Sequence, residues 1–227
     1  MLARLQLLKA MDARSLRSQI EQEGHALLPD RYDEAAFAAL AAELGEVVDD
    51  TWVRRVPGRR TYLTSPDAIP FHTDHPHADL IAWRCESQDG SDGASLLIDG
   101  ARVVEALDVD ARHELEQLRL PAMVRLGDPP EATPVLRASG QRVALFFAPW
   151  LEPPGDDPAA QEALRRLRAL IDREASRALR FRLEPGQVLL VDNHRMLHGR
   201  ASLLPSSERK LHRLWLRAEP TGLGAPS

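Results

Sequence analysis

The stretch Pro185-Gly186-Gln187-Val188-Leu189-Leu190-Val191-Asp192-Asn193-His194-Arg195-Met196-Leu197-His198-Gly199-Arg200 decides how the rest of the chain is read. Pro185-Gly186 makes a turn, and Val188 to Val191 is a short apolar run that reads as a strand. The strand delivers the chain to a loop, and His198 sits just past it. A histidine presented beyond a buried strand asks for partners elsewhere in the sequence.

The first partners lie upstream, in Phe71-His72-Thr73-Asp74-His75-Pro76-His77. In an extended segment His72 and Asp74 project from the same face, so an imidazole and a carboxylate can share one metal. With His198 they form two histidines and one carboxylate. That is the facial triad of non-haem Fe(II) oxygenases, in which the opposite positions stay open for cosubstrate, substrate and dioxygen.

A third signal lies downstream, in Arg209-Lys210-Leu211-His212-Arg213-Leu214-Trp215-Leu216. Along a strand Arg209, Leu211, Arg213 and Trp215 share a face. An arginine pointing into an apolar barrel is costly unless it meets an anion. A dicarboxylate cosubstrate supplies one through a two-pronged guanidinium–carboxylate contact.

Around these segments the pattern is of short strands with a few helices. Leu5 to Leu8 reads as a strand, and Asp12 caps a helix that runs to Glu23 and stops at Gly24. His25 to Leu28 reads as a strand. Asp33 to Leu44 is an amphipathic helix with Ala36, Phe37, Leu40 and Leu44 on one face. Strands are expected at Asp79 to Glu86, Ala94 to Ile98 and Met123 to Leu126, with a turn over Asp89 to Gly93. A helical interlude runs from Ala101 to Leu118, and Val135 to Arg137 pairs with Arg142 to Phe147 around Ser139-Gly140. Pro153-Pro154-Gly155 breaks the chain, Ala159 to Leu179 is the longest helix, and Leu211 to Arg217 is the last strand. The tail after Pro220 is expected to fray. Together these predict one domain, a β-sandwich or barrel buttressed by helices.

Composition narrows the function. The 227 residues include 29 basic and 34 acidic side chains, for a net charge of −5, and 44% are apolar. The balance suits a protein with a sizeable core and lacks the basic footprint of a nucleic-acid binder. No apolar stretch is long enough to cross a membrane, and the N-terminus does not read as a signal peptide. The single cysteine, Cys85, fits a buried small residue, and a cytoplasmic protein acting on a small molecule is expected. Arg54, Arg55, Arg59 and Arg60 flank the Pro57-Gly58 turn and read as a solvated turn, or as a lid over an anionic substrate.

On these motifs the chain resembles the taurine dioxygenase and clavaminate synthase superfamily of Fe(II)/2-oxoglutarate oxygenases, over nearly its whole length. The family pattern is His-x-Asp, then a distal His in an Asp-Asn-x-x-x-x-His-Gly-Arg context, then an arginine about fifteen residues on. The resemblance implies a double-stranded β-helix, or jelly roll, with helices outside. It implies Fe(II) held by His72, Asp74 and His198, and 2-oxoglutarate and dioxygen as co-reactants. Arg213 matches the arginine that grips the distal carboxylate of 2-oxoglutarate, and Arg209 matches a second arginine near it. Ser95 matches the hydroxyl of the family's Gly-Gly-x-Thr/Ser step, although Asp92 replaces the first glycine. The implied activity is hydroxylation of an unactivated C–H bond in a small molecule, such as an amino acid, with release of succinate and carbon dioxide. Related halogenases have a small residue at the carboxylate position that leaves room for chloride, so an aspartate at position 74 argues for hydroxylation, or a related desaturation or cyclisation.

Three rivals stand beside this reading. His72, Asp74, His75 and His77 could cluster around zinc in a hydrolase. The same sandwich could bind a small molecule without turnover. It could also sense 2-oxoglutarate or iron through a protein partner, although no docking helix or tail points that way.

Overall fold

The protein is described from a computed structural model covering residues 12–56, 58, 61, 63–88, 93–121, 132–140, 142–152, 155–204 and 206–218. The chain opens with α1 (Ala13–Glu23), β1 (His25–Leu28), α2 (Glu34–Leu44), β2 (Glu46–Arg54), β3 (Ile69–His72), β4 (Leu80–Ser87) and β5 (Ser95–Asp99). It continues through α3 (Gly100–Glu105), α4 (Val109–Gln117), β6 (Arg119–Pro121), β7 (Ala132–Pro134), β8 (Leu136–Ser139) and β9 (Arg142–Leu145). It closes with α5 (Pro158–Ala175), β10 (Leu179–Phe181), β11 (Val188–Asp192), β12 (Met196–Arg200) and β13 (Lys210–Arg217).

Two antiparallel sheets carry the architecture. One has the order β1-β11-β4-β13-β2 and the other β10-β5-β12-β3. Between them lies an interior cluster that includes Ile81, Trp83, Leu189, Val191, Leu211 and Trp215. The alternate residues Leu80, Ala82, Val188, Leu190, Leu214 and Leu216 face the other way, onto Leu16, Ile20, Phe37 and Ala41 of α1 and α2. Helices therefore cover the outer face of the five-stranded sheet, which is why Val188 to Val191 is apolar without alternation. The second sheet is covered likewise, with Ile98 and Leu197 against Val103, Leu115, Leu164 and Ile171 of α3, α4 and α5. Each such aliphatic side chain contributes roughly 1.5–3 kcal/mol when fully buried.

Local chemistry sets the first helices. Asp12 and Asp33 are the N-caps, accepting from Ser15 N and Ala36 N at 2.8 Å. Gly24 ends α1 with φ +78°, a left-handed conformation that glycine adopts without strain. On α2 the buried residues are Phe37, Ala41 and Leu44; Ala36 is exposed, so the apolar face is turned by part of a turn from the expected one.

The structure departs from the expected pattern at three places, at two of them through pairing with distant strands. The helical interlude is two helices, because Asp108 caps a new one by accepting from Ala111 N. The long helix stops at Ala175, and Leu179 instead pairs with Leu97 as the start of β10. His198 is not in a loop: it lies in β12, which is hydrogen-bonded to β5 on one side and β3 on the other. The expected strands at Leu5 to Leu8 and Met123 to Leu126 lie outside the described residues, as do Asp89 to Asp92, Arg59, Arg60 and the tail. Among the described residues, no helix is long and apolar enough to cross a membrane. Cys85 is buried, its thiol donating to the Leu183 carbonyl at 3.3 Å.

Candidate metal centre

His72 is the last residue of β3, and β12 runs beside it with His198 as its direct antiparallel partner. That approach depends on Gly199. A Cβ there would sit 2.7 Å from the Ile69 carbonyl oxygen, and the register breaks at this point between His198 and Arg200. Glycine is the residue that lets two backbones come this close. Gly199→Ala is expected to push β3 from β12 and cost about 1–3 kcal/mol of stability, as overpacking does. Urea unfolding checks it; an unchanged midpoint would show that the strands part freely.

Asp74 lies beyond the end of β3, on a loop held from two sides. The Thr73 N–H donates to the Phe147 carbonyl at 2.8 Å, and the Thr73 hydroxyl accepts from the Phe147 N–H at 3.0 Å. On the other side the Asp74 N–H donates to Asn193 Oδ1 at 2.7 Å.

These elements bring His72, Asp74 and His198 together, all three buried, with one ligand atom from each lying within 4.8 Å of the others. His72 Nε2 is 3.8 Å from Asp74 Oδ1, and His198 Nε2 is 3.6 Å from Asp74 Oδ2. Nitrogen and oxygen donors about 2.0–2.2 Å from one small divalent ion lie no more than about 4.4 Å apart, so both distances suit a shared metal. His72 Nδ1 is 2.8 Å from the Pro70 carbonyl; donating there, it leaves Nε2 free as a ligand. Among the described residues this is the one group of three with metal-binding geometry. His75 and His77 do not join it, which removes the arrangement the zinc-hydrolase reading needs.

Electrostatics favour the protonation states a cation requires. Burial, with His72 alongside, pushes His198 down to about 3. Burial also lowers His72, against the opposing pull of Asp74. For Asp74 burial pushes the carboxyl up, but Arg213, His198, His72 and the Trp215 N–H outweigh it and hold the group below the usual carboxylate range. Two neutral imidazoles and an ionised carboxylate result.

The two downstream arginines do different things. Arg213 Nη1 donates to both Asp74 oxygens, at 3.2 and 3.0 Å, and Trp215 Nε1 donates to Asp74 Oδ2 at 2.8 Å. Arg213 Nη2 is 3.6 Å from Asp49 Oδ2, and neither Nη2 nor Nε has a hydrogen-bond partner among the described residues. Arg209 instead donates from Nη2 to the Ser95 hydroxyl at 3.0 Å and from Nε to Gln88 Oε1 at 3.1 Å. Its side chain lies across Gly93, where φ is +69° and a Cβ would meet Arg209 Cδ at 2.9 Å. Ser95 thus sits with Arg209. A narrow cavity has His72, His198, Ser95, Arg209 and Arg213 in its walls. A larger cleft of about 590 Å³, near Arg142 and Arg195, contains none of the three candidate ligands.

Sequence reasoning passed over Thr73, Asn193 and Asp49. Asn193 had a signal, since it opens the polar turn that leads to His198. Thr73 and Asp49 had none, because the contacts that tie them to the site, Thr73 to Phe147 and Asp49 to Arg213, join residues far apart in the chain.

Comparison with known proteins agrees with this geometry. The family model for taurine catabolism dioxygenase TauD, TfdA family, matches residues 2–215. Clavaminate synthase 2 of Streptomyces clavuligerus is 27% identical over 176 residues, which is 70% of this chain and 53% of that protein. The chain therefore spans about half the length of that curated relative. Asparagine oxygenase in complex with Fe(II), 2S,3S-3-hydroxyasparagine and succinate superposes with a TM-score of 0.72 at 23% identity, covering 90% of this chain and 78% of its own. The non-heme iron oxygenase OrfP with Fe and alpha-ketoglutaric acid superposes with a TM-score of 0.67 at 18% identity, covering 90% and 79%. The facing sheets are those of the double-stranded β-helix oxygenases. The chain belongs to the TauD/TfdA family of Fe(II)- and 2-oxoglutarate-dependent oxygenases.

Proposed function

We propose that this chain is an Fe(II)/2-oxoglutarate-dependent dioxygenase that hydroxylates an unactivated C–H bond of a small molecule, with an amino acid as the substrate class. The observation that carries it is the buried cluster of His72, Asp74 and His198, whose two histidines line a cavity that also reaches the buried Arg209 and Arg213. His72 and His198 supply neutral nitrogen donors, and Asp74 supplies the anionic one. Bound Fe(II), with 2-oxoglutarate and dioxygen, supplies the oxidation, one oxygen atom going to the substrate and the other to succinate as carbon dioxide leaves. The amino-acid class is supported by the relatives, since asparagine oxygenase and OrfP were solved with a hydroxylated asparagine and a hydroxylated arginine.

Both arginines remain candidates for the distal carboxylate of 2-oxoglutarate, and the position of Ser95 favours Arg209. A guanidinium and a hydroxyl that already touch offer a carboxylate converging donors. Arg213 has its Nη1 committed to Asp74, so its first task is to balance that carboxylate. Its Nε and Nη2 groups, which have no hydrogen-bond partner among the described residues, are the donors it has left for an anionic cosubstrate.

Anaerobic addition of Fe(II) and then 2-oxoglutarate to the metal-free protein tests the reading. A weak visible charge-transfer band is expected only with both present, followed by succinate formation when oxygen and an amino-acid substrate are admitted. Bound iron without a band would refute the cosubstrate site.

A further inference from the structure

We infer that Asn193 is the positioning residue of the Asp74 ligand, and that it fixes the carboxylate relative to the histidine delivered by β12. The inference rests on the proposed ligand role of Asp74. β3 ends at His72, so no ladder hydrogen bond holds Asp74 in place. The Asn193 carboxamide substitutes for the missing strand. Its Oδ1 accepts from Asp74 N at 2.7 Å, and its Nδ2 donates to the His75 carbonyl at 3.0 Å and the Ala78 carbonyl at 2.9 Å. Its own backbone N–H donates to the Asp79 carbonyl at 3.0 Å. Asn193 is 1% exposed, so each of these bonds is made away from water, where an unmet amide costs most.

The residue type follows from the donors and acceptors required. An aspartate could accept from Asp74 N but would offer no proton to the His75 and Ala78 carbonyls, and would set a carboxylate against both oxygens. An alanine would leave the Asp74 N–H and the Ala78 carbonyl unmet, and would leave the His75 carbonyl only the Ala78 N–H at 3.0 Å. The loop would still be held elsewhere, by Thr73 on Phe147 and by the His194 ring nitrogen 3.0 Å from the Pro76 carbonyl. Removing the carboxamide therefore frees the Asp74 end of the loop while the other anchors remain. Asn193 also belongs to the turn joining β11 to β12, and β12 carries His198 opposite His72. One side chain thus ties the carboxylate's loop to the hairpin that supplies the second imidazole.

The test is a Co(II) titration of the full-length, metal-free protein, read by the visible d–d spectrum of the bound ion and requiring no turnover. Asn193→Ala is expected to weaken Co(II) about 10- to 100-fold, the range seen when groups that orient metal ligands are removed. The band shape should change too, because the carboxylate is displaced rather than deleted. Leu16→Ala, buried in α1 against the outer face of the other sheet, serves as the stability control. It should lower the melting temperature while leaving Co(II) affinity and band shape as in the wild type. If Asn193→Ala does not fold, Asn193→Asp carries the same measurement, with the same direction expected. Wild-type affinity and an unchanged band in the Asn193 variant would overturn the inference, as would an equal loss of affinity in Leu16→Ala. Failure of the wild-type chain to bind Co(II) would instead strike the ligand assignment itself.

Discussion

Asp74→Ala is expected to abolish succinate formation and to destabilise the metal-free protein by about 3–5 kcal/mol, the cost of leaving one member of a buried ion pair alone. The carboxylate has four neighbours in the fold. Arg213 donates to both of its oxygens, Trp215 donates to one, and the two imidazoles face it from the other side. Deleting it removes the proposed anionic metal ligand. It also strands the Arg213 charge in an interior where its remaining acidic neighbour, Asp49, is 3.6 Å away. Urea unfolding of the apoprotein and a succinate assay separate the two effects. Adding Arg213→Gln to Asp74→Ala should recover part of the stability, because the unpaired cation goes with it, and none of the turnover. If Asp74→Ala alone is as stable as the wild type, the ion pair is not the structural unit described above.

Arg209→Gln is expected to raise the KM for 2-oxoglutarate by about 30-fold or more, since truncating one side of a buried charged contact costs about 2–5 kcal/mol. Fe(II) affinity should change little, because Arg209 touches Ser95 and Gln88 and none of the three ligands. Ser95→Ala should act in the same direction but only about 2- to 10-fold, the worth of one hydrogen bond between protein groups exchanged against water. Arg213→Gln should instead disturb iron binding and stability through Asp74. Steady-state kinetics on 2-oxoglutarate across the three variants decides the assignment. A larger rise for Arg213→Gln than for Arg209→Gln would return the distal carboxylate to Arg213.

Where local chemistry determines structure, the sequence is legible. Asp12 and Asp33 cap helices through their own carboxylates, and Gly24 ends one through its left-handed backbone. Where pairing partners determine structure, it is not. Ala178 and Leu179 continue the helical spacing of α5, yet Leu179 is drawn into β10 by Leu97, some eighty residues earlier in the chain. Met196 to Arg200 looks like loop because it is short and carries a histidine, a glycine and an arginine. It is a strand because β5 and β3 supply hydrogen bonds on both sides.

The site divides in the same way. His72, Asp74 and His198 are readable because few reactions want those residue types in that order. The partition of the arginines is not, since spacing along a strand says which residues share a face and not which one meets Ser95. Asn193 carried only part of a signal, its place in the turn before His198, because its partners are backbone groups of a loop more than a hundred residues upstream, and backbone groups leave no mark in a sequence.

The strand order also governs how the protein comes into being. In the five-stranded sheet β4 lies between β11 and β13, and β12 likewise sits between β5 and β3 in the other. Early strands thus depend on later ones for their neighbours, Trp83 pairing with Arg213 and Leu97 with His198. A nascent chain that has emerged only as far as residue 185 has released α1, α2 and β2 to β5 without β11, β12 and β13, and with apolar faces open. Such sequence-distant pairings impose slow folding, on the order of milliseconds to seconds in small two-state proteins rich in them. Both sheets and the metal pocket then assemble in one late event, so a nascent chain stalled before β11 is the species most exposed to aggregation and to chaperone capture.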